Sequence, residues 1–247
     1  MEPVIQENET LEDLQLNGFR LIQKKNGFRF GMDSVLLADF ASIRPNASVV
    51  DFGTGSGILP VLLIGRNKGS RFEGIEIQSE IAEMAKRTMK LNHLEDKVTI
   101  TCGNAEEADR WIPSCSIDAV ICNPPYGEPG TALKSPHSSK AISRNQQQGM
   151  LKRFFKNAFT ILKGKGRLIL VYPAHQMFNV MSLLREAHLE PKKFQLVYPF
   201  ESKPANLVLI EAVKDARPSL HPMPPLIVFE ADHVLTNKLK SVYHISE

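Results

Sequence analysis

Short apolar runs alternate with amphipathic segments along most of the chain. The runs are rich in β-branched residues and end in Gly, Asn or charged residues, as buried strands do. The intervening segments have apolar residues spaced three and four apart, which is typical of helices. The predicted strands are 48–53, 71–77, 97–102, 117–122, 166–172, 193–198 and 206–213. The predicted helices are 33–41, 58–66, 79–92, a short polar one ending at Trp111, 150–162 and 176–187.

This alternation predicts an α/β fold, with a mostly parallel sheet and helices on both faces. In such sheets ligands bind beyond the carboxyl ends of the strands. The residues that follow the first four of these strands are therefore expected to converge on one site. The long loop 127–145, rich in Ser, Gly and Pro, begins at the same place, and loops of that length are usually functional or disordered.

The chain divides into residues 46–247, which hold the α/β pattern, and an N-terminal extension, residues 1–45. Within the extension, residues 19–30 predict a hairpin that turns at Lys25-Asn26-Gly27, and a helix with Asp33 or Ser34 as its cap follows. The Pro-rich tail is predicted to end in one edge strand.

Composition places the chain among globular proteins that work in a reducing compartment. It has 247 residues, 43% hydrophobic and 23% charged, which is ordinary for such a domain. No apolar run approaches the roughly 18 residues that span a bilayer, and the N-terminus lacks the layout of a secretory signal. The three cysteines have no metal-type spacing. A cytoplasmic protein without a metal site or a membrane anchor is the expectation.

The net charge of +3 is unevenly distributed. Between Glu128 and Arg167 there are nine Lys or Arg residues and one acid, so this segment carries about +8. Its densest part, from Lys134 to Arg167, is a candidate surface for a polyanion. A solvated loop and helix face is the alternative.

A glycine loop follows the first strand of the α/β pattern. The stretch "VVDFGTGSGI" places Gly53, Gly55 and Gly57 between a strand and a helix, where glycine permits close approach of a ligand to the backbone. The dinucleotide fingerprint would need a further glycine at position 58, which is Ile58. That difference argues against NAD.

Two carboxylates indicate which ligand the loop holds. Asp51, just before the glycines, would repel a pyrophosphate but would suit a cationic amino acid group. Glu76 ends the next strand, where it can accept hydrogen bonds from both hydroxyls of a ribose. Together they describe a nucleoside that carries a positive amino acid, S-adenosylmethionine. Asn104, after the third strand, could meet the adenine edge. Each residue alone could instead be a cap or a turn former.

The fourth strand ends in Asn123-Pro124-Pro125-Tyr126. An amide oxygen of Asn123 and the carbonyl of Pro124 could accept hydrogen bonds from both N–H groups of an amino nitrogen and so favour its nucleophilic shape. The two prolines fix the backbone, and Tyr126 offers a flat face to a planar substrate. Transfer of a methyl group would then depend mainly on positioning and electrostatic support. A strand end punctuated by prolines is the alternative.

The stretches "DFGTGSG", "GIEI" and "NPPY", in this order, resemble the class I, Rossmann-like, S-adenosylmethionine-dependent amino methyltransferases. More narrowly, "GFRFGMDSVLLADF", "DFGTGSGILPVLL", "GIEIQ" and "CNPPY" resemble the bacterial tRNA adenine-N6 methyltransferases that modify valine tRNA next to its anticodon. The similarity covers residues 17–230.

The resemblance implies a seven-stranded sheet whose last strand pair is antiparallel, and adenine N6 in tRNA as the substrate. Its target-adenine residues fall on Asn123, Pro124, Pro125 and Tyr126. Asn104 departs from the Asp that is common in the family. Asp33 lies in the family's segment near the methionine end of the cofactor, although a helix cap explains it equally well. The residues expected to hold the cofactor are Asp33, Asp51, Gly53, Thr54, Gly55, Gly57, Glu76, Ile77, Asn104, Ala105 and Asn123.

Other substrates use the same chemistry. The alternatives are the glutamine amide of a translation release factor, a guanine amino group in ribosomal RNA, and adenine in DNA. Release-factor enzymes usually have a helical N-terminal domain, whereas about 50 residues precede the glycine loop here. A non-catalytic RNA-binding module is a further alternative, against which Asp51, Glu76 and Asn123 argue.

Overall fold

Seven long strands form the central sheet of the computed structural model, which describes residues 5–26, 31–125, 139–231 and 234–243 and only the backbone of residues 139–147. Tyr126 and the larger part of the loop 127–145 lie outside the described residues. The long strands are β3 (Ser48–Phe52), β4 (Arg71–Glu76), β5 (Val98–Cys102), β6 (Ile117–Cys122), β7 (Leu162–Pro173), β8 (Leu189–Tyr198) and β9 (Leu207–Lys214).

The strand order is β8-β9-β7-β6-β3-β4-β5. β3 to β7 pair in parallel, and β9 runs antiparallel to both of its neighbours, β7 and β8. The predicted fold, including its antiparallel last pair, is confirmed. Because β3 lies between β4 and β6, the chain reverses its direction of travel across the sheet at β3, and the crevice there is where ligands of such folds bind.

Helices cover both faces, and the strands alternate between two apolar layers. Val49, Ala119 and Ile121 face one layer, while Val50 and Val120 face the other. The first layer is closed by α1 (Met32–Phe40), α2 (Ile58–Gly65), α3 (Ser79–Leu91) and α6 (Asn237–Val242). The second is closed by α4 (Ser139–Ile161) and α5 (Met177–Glu186). Parallel strands covered on both faces need the near-continuous apolar runs seen in the sequence.

The described N-terminal hairpin was not predicted, although its second strand coincides with a predicted one. β2 (Arg20–Lys24) pairs antiparallel with the preceding β1 (Glu9–Asp13), and the chain turns at Asn17-Gly18, both with positive φ. This turn carries the same Asn-Gly signal as the predicted turn at Lys25-Asn26-Gly27. Residues 27–30, the other predicted strand, lie outside the described part of the chain.

The hairpin is fixed to α3 by polar contacts. The Asn92 amide bonds the Arg20 backbone in both directions, at 2.8 and 2.7 Å. The Arg87 guanidinium donates to both oxygens of Glu9, at 2.7 and 2.6 Å. These contacts hold the extension against the α/β part of the chain.

Two predicted boundaries in the helices are wrong. α1 begins after Gly31, which has no side chain to cap it, so Asp33 and Ser34 lie inside the first turn and neither is the N-cap residue. α4 begins at Ser139, inside the segment predicted as a loop up to residue 145. The start of α4 is polar but contains Lys, Arg and Gln, which are good helix formers. Apolar periodicity could not reveal it.

The tail lies at the outer edge of β8, as predicted, but in two pieces. β10 (His221–Pro222) and β11 (Leu226–Ile227) each pair with β8. The pairing is interrupted between them because the prolines of this stretch lack a backbone donor. β12 (Phe229–Ala231) and β13 (Val234–Leu235) then form a short antiparallel ladder before α6. Across the described ranges, none of the helices has the length and apolar character needed to cross a membrane.

Candidate active site

The strand register places three predicted site residues in one row. Phe52 of β3 is level with Ile75 of β4 and with Cys122 of β6. The next residues, Glu76, Gly53 and Asn123, therefore form the next row at the carboxyl edge of the sheet. Neighbouring strands lie about 4.8 Å apart, so the backbones of Glu76 and Asn123 are about 10 Å apart with Gly53 between them. This row is the centre of the candidate site.

The glycine loop leaves open space beside its backbone. Gly53 and Gly55 have φ of +74° and +56°, and a Cβ atom at either position would meet no atom within 4 Å. Most other residues would be strained at these angles. The N–H groups of Gly53 and Thr54 donate to the Ile75 carbonyl at 2.9 and 3.0 Å and fix the loop to β4. The result is a rigid cradle that a ligand can approach closely.

Gly57 has a different role from its neighbours. It has φ of +84° and precedes α2, and a Cβ there would lie 2.4 Å from the Met89 side chain. Its small size thus lets α2 pack against α3. The structure gives Gly57 a packing function, and its predicted cofactor contact stays a prediction.

Asp51 is a carboxylate buried near the carboxyl end of β3. It is 1% exposed, and none of the described groups hydrogen-bonds either of its oxygens or the buried hydroxyl of Thr54 with regular geometry. Burial raises the pKa of Asp51 to about 7, the nearby Thr54 hydroxyl lowers it, and the charge of Glu76 raises it further. Buried polar groups are normally paired, so these oxygens are suited to a polar or cationic ligand.

Gly74 makes room for this arrangement, and the sequence analysis missed it. It is level with Asp51 in the sheet, and a Cβ there would lie 2.7 Å from the Thr54 hydroxyl. The signal was present in the sequence, since a glycine inside a strand often marks a close approach.

Glu76 lies at the mouth of the cradle and is 6% exposed. Its Oε2 accepts from the Gly55 N–H at 3.1 Å and its Oε1 from the Gln78 N–H at 2.9 Å. Each carboxylate oxygen has a further lone pair for a ligand hydroxyl. The next residue, Ile77, is 65% exposed and presents an apolar surface beside this carboxylate.

Asn104 and Ala105 continue the same edge after β5. The Asn104 side-chain oxygen accepts from the Glu106 N–H at 3.0 Å and caps a 3-10 helix, Ala105–Arg110. Asn104 therefore has a structural function in addition to the predicted contact with adenine. Its oxygen keeps a second lone pair. Ala105 is buried at the start of this helix.

Asn123 is held by a residue that the sequence analysis did not assign to the site. Its amide nitrogen donates to the hydroxyl of Ser34 at 3.2 Å, and Ser34 is 2% exposed on α1. Pro124 is buried and Pro125 is exposed. Since the amide oxygen points away from the amide nitrogen, the Ser34 contact fixes where that oxygen can act. Asp33, next to Ser34, lies on the same helical turn.

The described cavities lie elsewhere. One of about 220 Å³ is lined by Arg66 and Tyr243 among others, and one of about 460 Å³ by Lys24 and Arg87 among others. Neither is lined by a residue of the glycine loop or by Asn123. The position of the candidate site is defined by its converging polar groups. Within the described part of the chain, no group of three or more His, Cys, Asp or Glu residues could hold a metal ion.

The basic segment is only partly near this site. Lys163, Lys165 and Arg167 lie in the first half of β7, at the opposite edge of the sheet from the glycine loop, so this part of the candidate polyanion surface lies away from the candidate site. Four of the described cations of the basic segment have acidic partners: Lys152–Glu186, Arg153–Glu106, Lys163–Asp118 and Arg167–Glu211. Lys134 and the side chains of Lys140 and Arg144 lie outside the described part.

Comparison with known proteins gives a family match over most of the chain. The family model described as "Methyltransferase small domain" matches residues 30–192. A tRNA1(Val) (adenine(37)-N6)-methyltransferase of Parabacteroides distasonis is 25% identical over 199 residues, which are 80% of this chain and 81% of that protein. The protein of the same name from Vibrio campbellii is 24% identical over 212 residues, 83% of this chain and 86% of the relative.

Solved structures share the fold. A crystal structure described as a predicted O-methyltransferase from Agrobacterium tumefaciens has a TM-score of 0.68 and 21% identity, covering 86% of this chain and 96% of that one. The structure of TYW2 from M. jannaschii in complex with AdoMet has a TM-score of 0.56 and 15% identity, covering 84% of this chain and 86% of that one. At these identities the likeness concerns the fold alone.

Proposed function

The chain belongs to the methyltransferase small domain family. From this premise we propose that it transfers a methyl group from S-adenosylmethionine to an adenine of a tRNA. The acceptor is the N6 amino group of an adenine in the anticodon-loop region. The single observation that carries the proposal is the row of Glu76, Gly53 and Asn123, which sets a ribose-type acceptor and an amine-type acceptor about 10 Å apart along one edge of the sheet. The names of the relatives support tRNA adenine as the substrate.

The cofactor is S-adenosylmethionine, and the residues present fit it. The Asp51 oxygens and the Thr54 hydroxyl, which lack regular hydrogen bonds among the described residues, would bind its cationic amino acid end. Asp33, which precedes Ser34 in the sequence, would contribute to the same end. The open space at Gly53 and Gly55 would admit its sugar-bearing portion close to the backbone. When bound, the cofactor supplies a methyl carbon attached to a positively charged sulfur.

The nucleoside end would lie across Glu76 and Ile77. The two Glu76 oxygens already accept one backbone N–H each, and their remaining lone pairs would accept the two ribose hydroxyls. The exposed side chain of Ile77 would lie against the adenine ring, with Asn104 and Ala105 at the ring edge. Gly57 would support cofactor binding indirectly, because its positive φ shapes the end of the glycine loop before α2.

The target amine would be held by Asn123 and the carbonyl of Pro124. Because Ser34 holds the amide nitrogen, the Asn123 oxygen is directed to accept from the substrate N–H. Pro125 fixes the backbone after Pro124, and Tyr126 would provide the face on which the adenine lies. No strong base is needed before transfer, since the amine loses its proton readily once it is methylated. Rate acceleration would come mainly from alignment and from charge support.

The test is methylation of total tRNA with labelled S-adenosylmethionine, followed by digestion and mass spectrometry of the labelled nucleoside. We expect N6-methyladenosine in an anticodon-loop fragment. In the same assay Asn123→Ala should lower kcat by about 10²- to 10³-fold, the usual cost of removing one positioned polar group, while S-adenosylhomocysteine still binds.

Other outcomes would replace the proposal. Label in free release factor instead of tRNA would assign a glutamine substrate, and label as N2-methylguanosine in ribosomal RNA would assign a guanine. A wild-type protein that binds RNA but methylates nothing, with Asn123→Ala indistinguishable from it, would assign a non-catalytic module.

A further inference from the structure

Phe178 is an exposed aromatic residue on an ordered helix. It is 84% exposed, more than any other large hydrophobic residue that the structure describes. Phe154 and Phe155, two of the aromatic residues within the basic segment, are 8% and 1% exposed and belong to the core. Exposed single hydrophobic residues are common. The position of Phe178 in the fold is what distinguishes it.

The first turn of α5 lies at the same sheet edge as the candidate site. β7 is the neighbour of β6, and Leu170 is level with Cys122, so Tyr172 is level with Pro124. α5 begins at Met177, shortly after β7 ends. The N–H of Ala174 donates to the Asn206 carbonyl at 2.9 Å and holds this turn at the edge. Phe178 therefore stands on the rim of the site, beside the carboxyl end of β7.

The helix that carries Phe178 is firmly packed. Val180, Leu183 and Leu184 are 0%, 4% and 0% exposed and form the buried face of α5. Lys152 on α4 pairs with Glu186 at 3.0 Å, and Gln148 donates to Asn179 at 3.4 Å. Phe178 is thus exposed because it lies on the face of α5 opposite to the buried one. The helix itself is held in place by that buried face and by its contacts with α4.

A second ring-bearing residue precedes Phe178. His175 is also exposed and lies three residues earlier, in the 3-10 turn that leads into α5. Residues three apart in a helical segment share a side, so the two rings face the same region. Two neighbouring flat side chains at the rim of a site are suited to unpaired bases.

We propose that Phe178, with His175 beside it, is a stacking platform for a nucleotide that flanks the methylated adenine in an unpaired RNA loop; this inference rests on the proposed function. A target adenine must be extruded from its neighbours to reach Asn123. The flanking bases then lose a stacking partner, and an aromatic face at the rim replaces it. Such a platform strengthens binding of loop RNA over duplex RNA without reading a sequence.

The experiment compares Phe178→Ala, Phe178→Leu and Phe178→Tyr in steady-state methylation of an unmodified valine tRNA transcript. We expect Phe178→Ala to raise KM for the tRNA by about 5- to 100-fold. At 1.4 kcal/mol per tenfold, this range corresponds to the usual stacking free energy of one base on an aromatic ring. kcat at saturating tRNA and the affinity for S-adenosylhomocysteine should change less than about twofold, because no atom near the reaction moves. Phe178→Tyr should behave as wild type, and Phe178→Leu should resemble Phe178→Ala.

Leu220→Ala is the matched control. Leu220 is a 44% exposed apolar residue next to β10, at the outer edge of the sheet, and its removal should leave KM unchanged. If Phe178→Ala has the wild-type KM, or if Phe178→Leu rescues as well as Phe178→Tyr, stacking is refuted. A wild-type protein that methylates no tRNA refutes the proposed function and this inference together, whereas a normal wild type with an unchanged Phe178→Ala refutes this inference alone.

Discussion

Replacing Asp51 by Asn should stabilise the protein at neutral and higher pH in the absence of cofactor. The Asp51 carboxylate is buried without a hydrogen-bond partner among the described residues, and burial raises its pKa to about 7 from an ordinary 3.8. Between these two pH values the unfolded chain has lost the proton that the folded chain retains. The free energy of unfolding therefore falls as pH rises through this window and is constant above it.

The size of the effect follows from the pKa difference. Each unit corresponds to 1.36 kcal/mol, so the ionised Asp51 costs the folded state up to about 4 kcal/mol at pH 8. Asn has almost the same shape and no charge, but its unpaired amide costs about 1–3 kcal/mol to bury. Asp51→Asn should thus gain about 1–3 kcal/mol at pH 8. Two pH units separate pH 5 from the pKa of about 7, so the advantage should shrink by about 3 kcal/mol between pH 8 and pH 5.

Urea unfolding of both proteins at pH 5 and pH 8 measures this change directly. The difference between the two pH values is the decisive quantity, because the cost of the buried amide is the same at both and cancels. Asp96→Asn, at an exposed position, makes the same change in charge and should shift stability by less than about 0.5 kcal/mol. An Asp51→Asn effect that is equal at pH 5 and pH 8 would refute the reasoning.

The same substitution should weaken cofactor binding. Calorimetry with S-adenosylhomocysteine, which keeps the cationic amino group, should show at least about tenfold weaker binding to Asp51→Asn, since a charged hydrogen-bond partner typically contributes 1.5–3 kcal/mol. Wild-type affinity should also fall by up to about tenfold per unit below pH 7, because binding then requires Asp51 to release its proton. An Asp51→Asn variant that is more stable and still binds tightly would remove Asp51 from the cofactor site.

Two further predictions concern contacts between distant parts of the chain. Ser34→Ala removes the hydroxyl that holds the Asn123 amide, so kcat for methyl transfer should fall by about tenfold, less than the cost of losing a positioned group outright. Cofactor affinity measured by calorimetry should be unchanged. An unchanged kcat would show that Asn123 needs no such anchor. Glu9→Gln disrupts the bidentate contact with Arg87 and should cost about 1–3 kcal/mol in urea unfolding at pH 7. The hydrogen bond from Arg87 lowers the pKa of Glu9 below 4.5, so this loss should shrink as the pH falls below 4.5 towards that lowered value, and a gap that is as large at acidic pH as at pH 7 would contradict it.

The sequence alone determined the sheet, its helices and the order of the site motifs. Apolar runs of strand length and helical spacing are local patterns, and they predicted β3 to β9 with small errors at the ends. Because parallel strands present their carboxyl ends at one edge, the same pattern also predicted that Glu76 and Asn123 would lie near each other.

Local pattern failed for two segments. The turn at Asn17-Gly18, between β1 and β2 on α3, was not predicted, although it carries the same Asn-Gly signal as the predicted turn at Asn26-Gly27. The start of α4 lacks apolar periodicity, so nothing in its pattern separated it from a loop. In both cases the missing information is which distant surface covers the segment.

Tertiary structure alone decided how the charged and polar side chains are used. Ser34 and Asn123 are 89 residues apart in the chain, yet they share a hydrogen bond. Lys163 belongs to the most basic stretch of the sequence but pairs with Asp118 at the edge remote from the site. Pairing, burial and exposure are properties of neighbours in space, and a one-dimensional pattern contains them only where the neighbours are also close in sequence. For this reason the motifs could be recognised in the sequence, whereas the Asp51 carboxylate, buried without a regular hydrogen bond from the described residues, and the exposed Phe178 ring became visible only in the folded chain.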